Sequence, residues 1–174
     1  AYEIKECDWS SDVCSSDLCE SVPVVPQAKQ YAQALLDALR WEGVAMVEFK
    51  MDMADQSLKL IEINGRFWGS LQLAIDAGVD FPALLVQTLA DEPMPVIDSY
   101  RVGVRSRWLM GDFDALLMRL FKREDELHLP PGHAGKLLSI LRFLKLWQKD
   151  TYNEIVRLSD LKPAWHELQR WFAA

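Results

Sequence analysis

The sequence lacks any apolar run of membrane-spanning length. Its most apolar helical stretch, Lys136 to Trp147, is interrupted by Ser139, Arg142 and Lys145, so no transmembrane helix is expected. The start carries no basic region followed by an apolar core, so no secretory signal is expected either. Histidine is scarce, with 3 in 174 residues and none before His128. The three cysteines, Cys7, Cys14 and Cys19, form no Cys-x-x-Cys pair. These shortages argue against a zinc site, and no Ser/His/Asp or Cys/His arrangement for nucleophilic catalysis is found. Positive charge is also short: 19 Lys and Arg stand against 26 Asp and Glu, a net charge of -7. Long-range attraction to nucleic acid or anionic lipid is therefore not expected, and any bound anion has to be held locally. No internal repeat is present. The expectation is a soluble cytoplasmic protein with no nucleic-acid or membrane partner.

The cysteines lie in or beside Asp8–Leu18, which reads as the translation of a short-read sequencing adapter. Residues 1–19 are accordingly set aside from fold reasoning. Without Asp8, Asp12 and Asp17 the net charge weakens but keeps its sign. On this reading the chain is a fragment whose natural upstream portion is missing.

Half of the residues are apolar, enough to bury a core, and the length suits one domain or one domain with an appendage. Pro26 suits the first turn of a helix that spacing places over Gln27–Arg40, with Gly43 just beyond. Val44–Met51 and Leu58–Asn64 read as strands of an antiparallel hairpin. Leu71–Ala77 and Phe81–Ala90 read as helices. Tyr100–Leu109 alternates as a strand, with Val102, Val104 and Trp108 on one side and Arg101, Arg105 and Arg107 on the other. That basic stripe suits an anionic substrate, and an ordinary solvated strand face suits the same residues equally well. The rest reads as helices over Phe113–Lys122, Gly135–Gln148 and Lys162–Phe172, with Pro130-Pro131-Gly132 as a linker. Trp147, Trp165 and Trp171 are expected to anchor packing, and His128, His133 and His166 to take surface or core roles in preference to catalytic ones.

The anomaly lies in the hairpin, where each apolar strand carries an acid at a position the pattern reserves for burial. Glu62 and Asn64 share one strand face, about 7 Å apart. Folding about the turn brings Glu48 opposite a position at or near Glu62. Two carboxylates facing one another repel unless a proton or cation neutralises them. A divalent cation with oxygen ligands does this economically, and Mg2+ suits few carboxylates completed by phosphates. Arg66, set between Gly65 and a helix start near Ser70, adds a guanidinium and helix N–H groups for a phosphate. The plain alternative pairs Glu48 and Glu62 with Lys50, Lys59 or Arg66 as salt bridges.

Val47-Glu48-Phe49, Leu60-Ile61-Glu62-Ile63-Asn64-Gly65-Arg66, Gly69-Ser70 and Ala77-Gly78-Val79-Asp80 together resemble the C-terminal half of the ATP-grasp fold. The likeness is to its carboxylate–amine ligase branch, related to the carbamoyl-phosphate synthetase ATP-binding domain, and covers about Glu20 to Glu92. It implies that Glu48, Glu62 and Asn64 hold Mg2+ (or Mn2+) against the ATP phosphates, and that Arg66 contacts the transferring phosphate. Gly65 departs from the commonest form of the motif, which has proline there.

The fold class expected is α+β: an unplaced N-terminus over 1–19, a C-terminal ATP-grasp subdomain of antiparallel sheet and packed helices over 20–110, and a helical extension over 111–174. The function implied is that of an ATP-dependent carboxylate–amine ligase acting through an acyl phosphate. Its partners would be a small-molecule carboxylate, an amine and the missing N-terminal portion of the same ligase, without which the chain is expected to be inactive. Two other readings stay open: a non-catalytic interaction module with a salt-bridged acidic hairpin, and a biotin-carboxylase-like ATP-grasp member.

Overall fold

The structure, a computed structural model, describes residues 19–52, 54–122, 127, 135–144 and 149–173. The adapter-like stretch, Cys7, Cys14, His128, His133, Trp147 and the Pro130–Gly132 linker lie outside the described residues. The chain is α+β and divides into two compact units, residues 19–104 and residues 105–173 of those described. No helix among the described residues is long and apolar enough to cross a membrane.

The first unit comprises β1 (Cys19–Glu20), α1 (Pro26–Ala38), β2 (Met46–Met51), β3 (Leu58–Asn64), α2 (Leu71–Ala77) and α3 (Phe81–Leu89). Pro26 opens α1, and the helix stops two residues short of expectation because Arg40 turns the chain with φ +48°. Ala28 and Ala32 lie one turn apart on α1 and are buried. Their short side chains make room for Phe49 of β2, and Val25, Leu35, Val47 and Leu58 close around this contact. Burying each larger apolar side chain contributes on the order of 1.5–3 kcal/mol, so this contact holds the hairpin to α1.

The hairpin turn is built from polar side chains. Asp52 Oδ1 accepts from the Ala54 N–H at 2.9 Å, and Asp55 Oδ1 accepts from the Ser57 N–H at 2.8 Å. Ser57, its side chain first and its backbone N–H second, holds the Asp55 carboxyl below its ordinary 3.8. Farther on, Gly78 closes α2 in the left-handed conformation at φ +106°, and Asp80 caps α3 by accepting from the Ala83 N–H at 3.0 Å.

The segment before residue 105 corrects the sequence reading. Only Arg105–Arg107 forms a strand. Gly103 adopts φ +82°, which breaks the alternation, and Val102 is exposed instead of facing inward. What holds this segment is bonding to Ser21, some 80 residues earlier in the chain: Ser21 Oγ donates to the Arg101 carbonyl at 2.8 Å and accepts from the Val104 N–H at 2.9 Å. Tyr100 donates its hydroxyl to the Val22 carbonyl at 2.5 Å.

The second unit contains β4 (Arg105–Arg107), α4 (Leu109–Phe121), α5 (Lys136–Leu144), β5 (Thr151–Asn153) and α6 (Lys162–Ala173). It is not wholly helical: β4 and β5 pair in parallel, Ser106 opposite Tyr152. Trp171 of α6 packs on Phe113 and Phe172, and its Nε1–H donates to Asp114 Oδ1 at 2.7 Å. Trp108 Nε1–H donates to Glu167 Oε1 at 2.5 Å, so two indole–carboxylate bonds join α6 to the start of α4. Trp171 is the anchor expected, whereas Trp165 is 62 % exposed and anchors nothing of that kind. His166 is exposed on α6.

Two of the three arginines expected on the basic stripe are engaged in contacts of their own. Arg107 is buried, ion-paired with Asp112, and its guanidinium sits 5.6 Å from the Phe143 ring centroid. Arg101 donates to the Asp76 carbonyl. Both guanidinium groups serve the fold at these contacts.

Candidate functional site

The hairpin register pairs Met51 with Leu58, Lys50 with Lys59 and Phe49 with Leu60. It then slips by one, so that Glu48 faces Glu62, Val47 faces Ile63 and Met46 faces Asn64, with Ile61 left over. The slip is decisive. In an unbroken ladder Glu48 would face Ile61, and Glu62 would lie opposite Val47, whose side chain packs on the α1 contact. The bulge turns Glu62 and Asn64 onto the face of Glu48, the kind of local re-aiming that bulges supply.

Residues directly opposed across antiparallel strands carry their Cβ atoms about 4.5–5.5 Å apart, so the two carboxylates are neighbours. Asn64 Nδ2 donates to Glu62 Oε1 at 2.5 Å. That bond uses the donor side of the amide and leaves its oxygen as an acceptor. Arg66 follows in the turn after β3, exposed, with Nη1 donating to the Phe67 carbonyl at 2.9 Å. Among the described residues no lysine or arginine is ion-paired with Glu48 or Glu62. The salt-bridged alternative thus finds no partner there.

Two parts of the sequence reading change. Neither acid is buried: Glu62 is exposed and Glu48 half-buried. The reason is that, among the described residues, this sheet has two strands, and its apolar contact is with α1 on one face. Leu60, opposite Phe49, and the surplus Ile61 are 45 % and 54 % exposed. The helix start also offers less than expected. α2 is seven residues long, and its Leu71 and Leu73 N–H groups already donate to the Trp68 and Ser70 carbonyls at 3.2 and 3.0 Å.

Two carboxylates and an amide oxygen form a hard-oxygen donor set of the kind Mg2+ takes. No three His, Cys, Asp or Glu side chains gather into a metal cluster among the described residues. A cation here would complete its shell with water or ligand oxygens, as Mg2+ commonly does. The donor chemistry fits that ion.

Two tryptophans around the site were not singled out from sequence. Trp68 is 8 % exposed and meets Phe81 edge-on with centroids 5.1 Å apart, fixing the loop between β3 and α2. Trp41 lays its indole against Gly65. The only trace of that contact in the sequence is glycine at position 65.

The chain is an ATP-grasp protein. Residues 17–111, more than half of its length, match the family described as ATP-grasp in the biosynthetic pathway with Ter operon, and the chain belongs to that family. ATP-grasp proteins generally bind ATP and Mg2+ and couple ATP to ligation. No curated protein and no solved structure matches the chain.

Proposed function

We propose that this chain supplies the Mg2+- and phosphate-binding part of an ATP-dependent carboxylate–amine ligase. The observation that carries this reading is the opposition of Glu48 and Glu62 across the bulged hairpin, with Asn64 bonded to Glu62 and Arg66 two residues on. Glu48, Glu62 and Asn64 would hold the ion, which when bound supplies neutralisation of phosphate charge.

Arg66 is the catalytic group in this reading. Its guanidinium would stabilise charge on the phosphoryl group during transfer. None of the four residues is a nucleophile. A substrate carboxylate oxygen attacks the γ-phosphorus of ATP, forming an O–P bond as the bond to ADP breaks. The amine then attacks the acyl phosphate, forming a C–N bond, expelling phosphate and losing a proton. The protein's contribution is position and charge.

A titration with Mn2+–ATP followed by 1H–15N NMR tests this, because paramagnetic broadening registers weak binding. Resonances of Glu48, Glu62, Asn64 and Arg66 are expected to broaden first, and E62Q to weaken the effect about tenfold. Broadening that spares these four residues, or is unchanged in E62Q, would overturn the proposal.

A further inference from the structure

We infer that Trp41 is a positioning residue for the Asn64–Gly65–Arg66 turn, its indole ring standing where the side chain of residue 65 would otherwise lie. The inference rests on the reading of Asn64 and Arg66 given above and adds to it a residue just beyond the end of α1.

The geometry is specific. A Cβ placed on Gly65 would lie 2.3 Å from Trp41 Cη2, 2.6 Å from Cζ2 and 3.3 Å from Cζ3, an overlap that no ordinary contact permits. Gly65 is not among the glycines with positive φ, which are Gly43, Gly78 and Gly103. Backbone conformation therefore does not require glycine at this position; what favours it is the space the ring already occupies. Nor is the tryptophan there merely to be buried, since it is 42 % exposed.

The ring itself is held. Trp41 Nε1–H donates to the Val44 carbonyl at 3.2 Å, and its backbone N–H donates to the Leu36 carbonyl at 2.9 Å. The first bond ties the indole to the approach to β2, and the second ties the Trp41 backbone to the end of α1. Glycine is the residue with the most backbone freedom to lose, and Gly65 joins the amide that bonds Glu62 to the exposed guanidinium of Arg66. A fixed ring against it narrows that freedom. Asn64 and Arg66 then leave the turn in set directions instead of sampling many, which is how preorganisation strengthens binding.

The contact is made by the far edge of the six-membered ring, so exchanging size across it should conserve it. Four proteins test this: wild type, G65A, W41F and W41F/G65A. In the absence of ligand, 15N relaxation is expected to show Gly65 and the Arg66 Nε–H becoming more mobile in W41F, with Val47–Phe49 unchanged. In the Mn2+–ATP titration, G65A and W41F are each expected to weaken broadening at Asn64 about tenfold, and W41F/G65A to return to within about twofold of wild type, the coupling of residues in contact.

Unchanged mobility of the turn in W41F, or strictly additive losses in the double variant, would sink the inference while leaving the functional reading intact. A wild-type chain that gathers no Mn2+–ATP at Glu48, Glu62 and Asn64 overturns that reading, and with it reduces Trp41 to a structural contact. Circular dichroism of W41F/G65A guards against a folding defect: a folded double variant without recovery counts against the inference.

Discussion

Burial raises the Tyr100 phenol above its ordinary 10.0, against a backbone bond from Val24 that opposes the shift. Its hydroxyl also donates to the Val22 carbonyl at 2.5 Å. The raised value means that the folded state prefers the protonated phenol. Tyr100 thus contributes stability that is fully present below pH 10 and is lost as pH rises through the folded value. Urea denaturation as a function of pH is expected to show this alkaline loss in wild type and not in Y100F, which should also be about 1 kcal/mol less stable at neutral pH. Equal alkaline slopes in the two proteins would count against it. At this same scale the sequence reveals some residues and hides others for a simple reason. Glu48, Glu62, Asn64 and Arg66 were legible because acids in apolar strands are chemically out of place and lie within one short stretch. Trp41 was not, because its meaning depends on a glycine 24 positions away that only the folded chain brings under its ring.

At the scale of elements, the periodicity that marks a strand gives its extent better than its phase relative to a neighbour. β3 runs over Leu58–Asn64 as expected, whereas the slip between Glu48 and Phe49 leaves no mark in the alternation of either strand. Over Tyr100–Leu109 alternation misleads, because Gly103 and the bonds of Ser21 govern that backbone and only three residues remain as strand. The parallel partner β5 escaped notice because three residues of Thr-Tyr-Asn carry too little pattern. The element contact that supports the site is α1 against the hairpin. Phe49→Ala removes its central side chain and is expected to cost about 3–5 kcal/mol, measured by urea unfolding of the first unit's amides in hydrogen exchange. A cost under about 1 kcal/mol would show that the hairpin is held by something other than Ala28, Ala32 and Phe49.

For the molecule as a whole, the family match covers residues 17–111 and so falls chiefly on the first unit. In the resemblance drawn from sequence, activity needs the N-terminal portion of the same ligase. We therefore expect the 174-residue chain alone to release no measurable ADP in a coupled assay with ATP and Mg2+, even where Mn2+–ATP broadens the hairpin. Robust turnover would refute this and place the whole active site within these residues. The bulge has a further bearing, on length variation among relatives. Because Ile61 is surplus to the ladder, a lineage that loses a single residue between Leu58 and Ile61 can absorb the deletion by straightening β3, keeping Glu48 opposite Glu62. Deletion of Ile63 has no such slack and is expected to swing Asn64 to the helix-facing side. Relatives one residue shorter before the Glu-x-Asn motif therefore remain comparable at the site, and a gap placed there in an alignment marks a mended bulge, not a lost function.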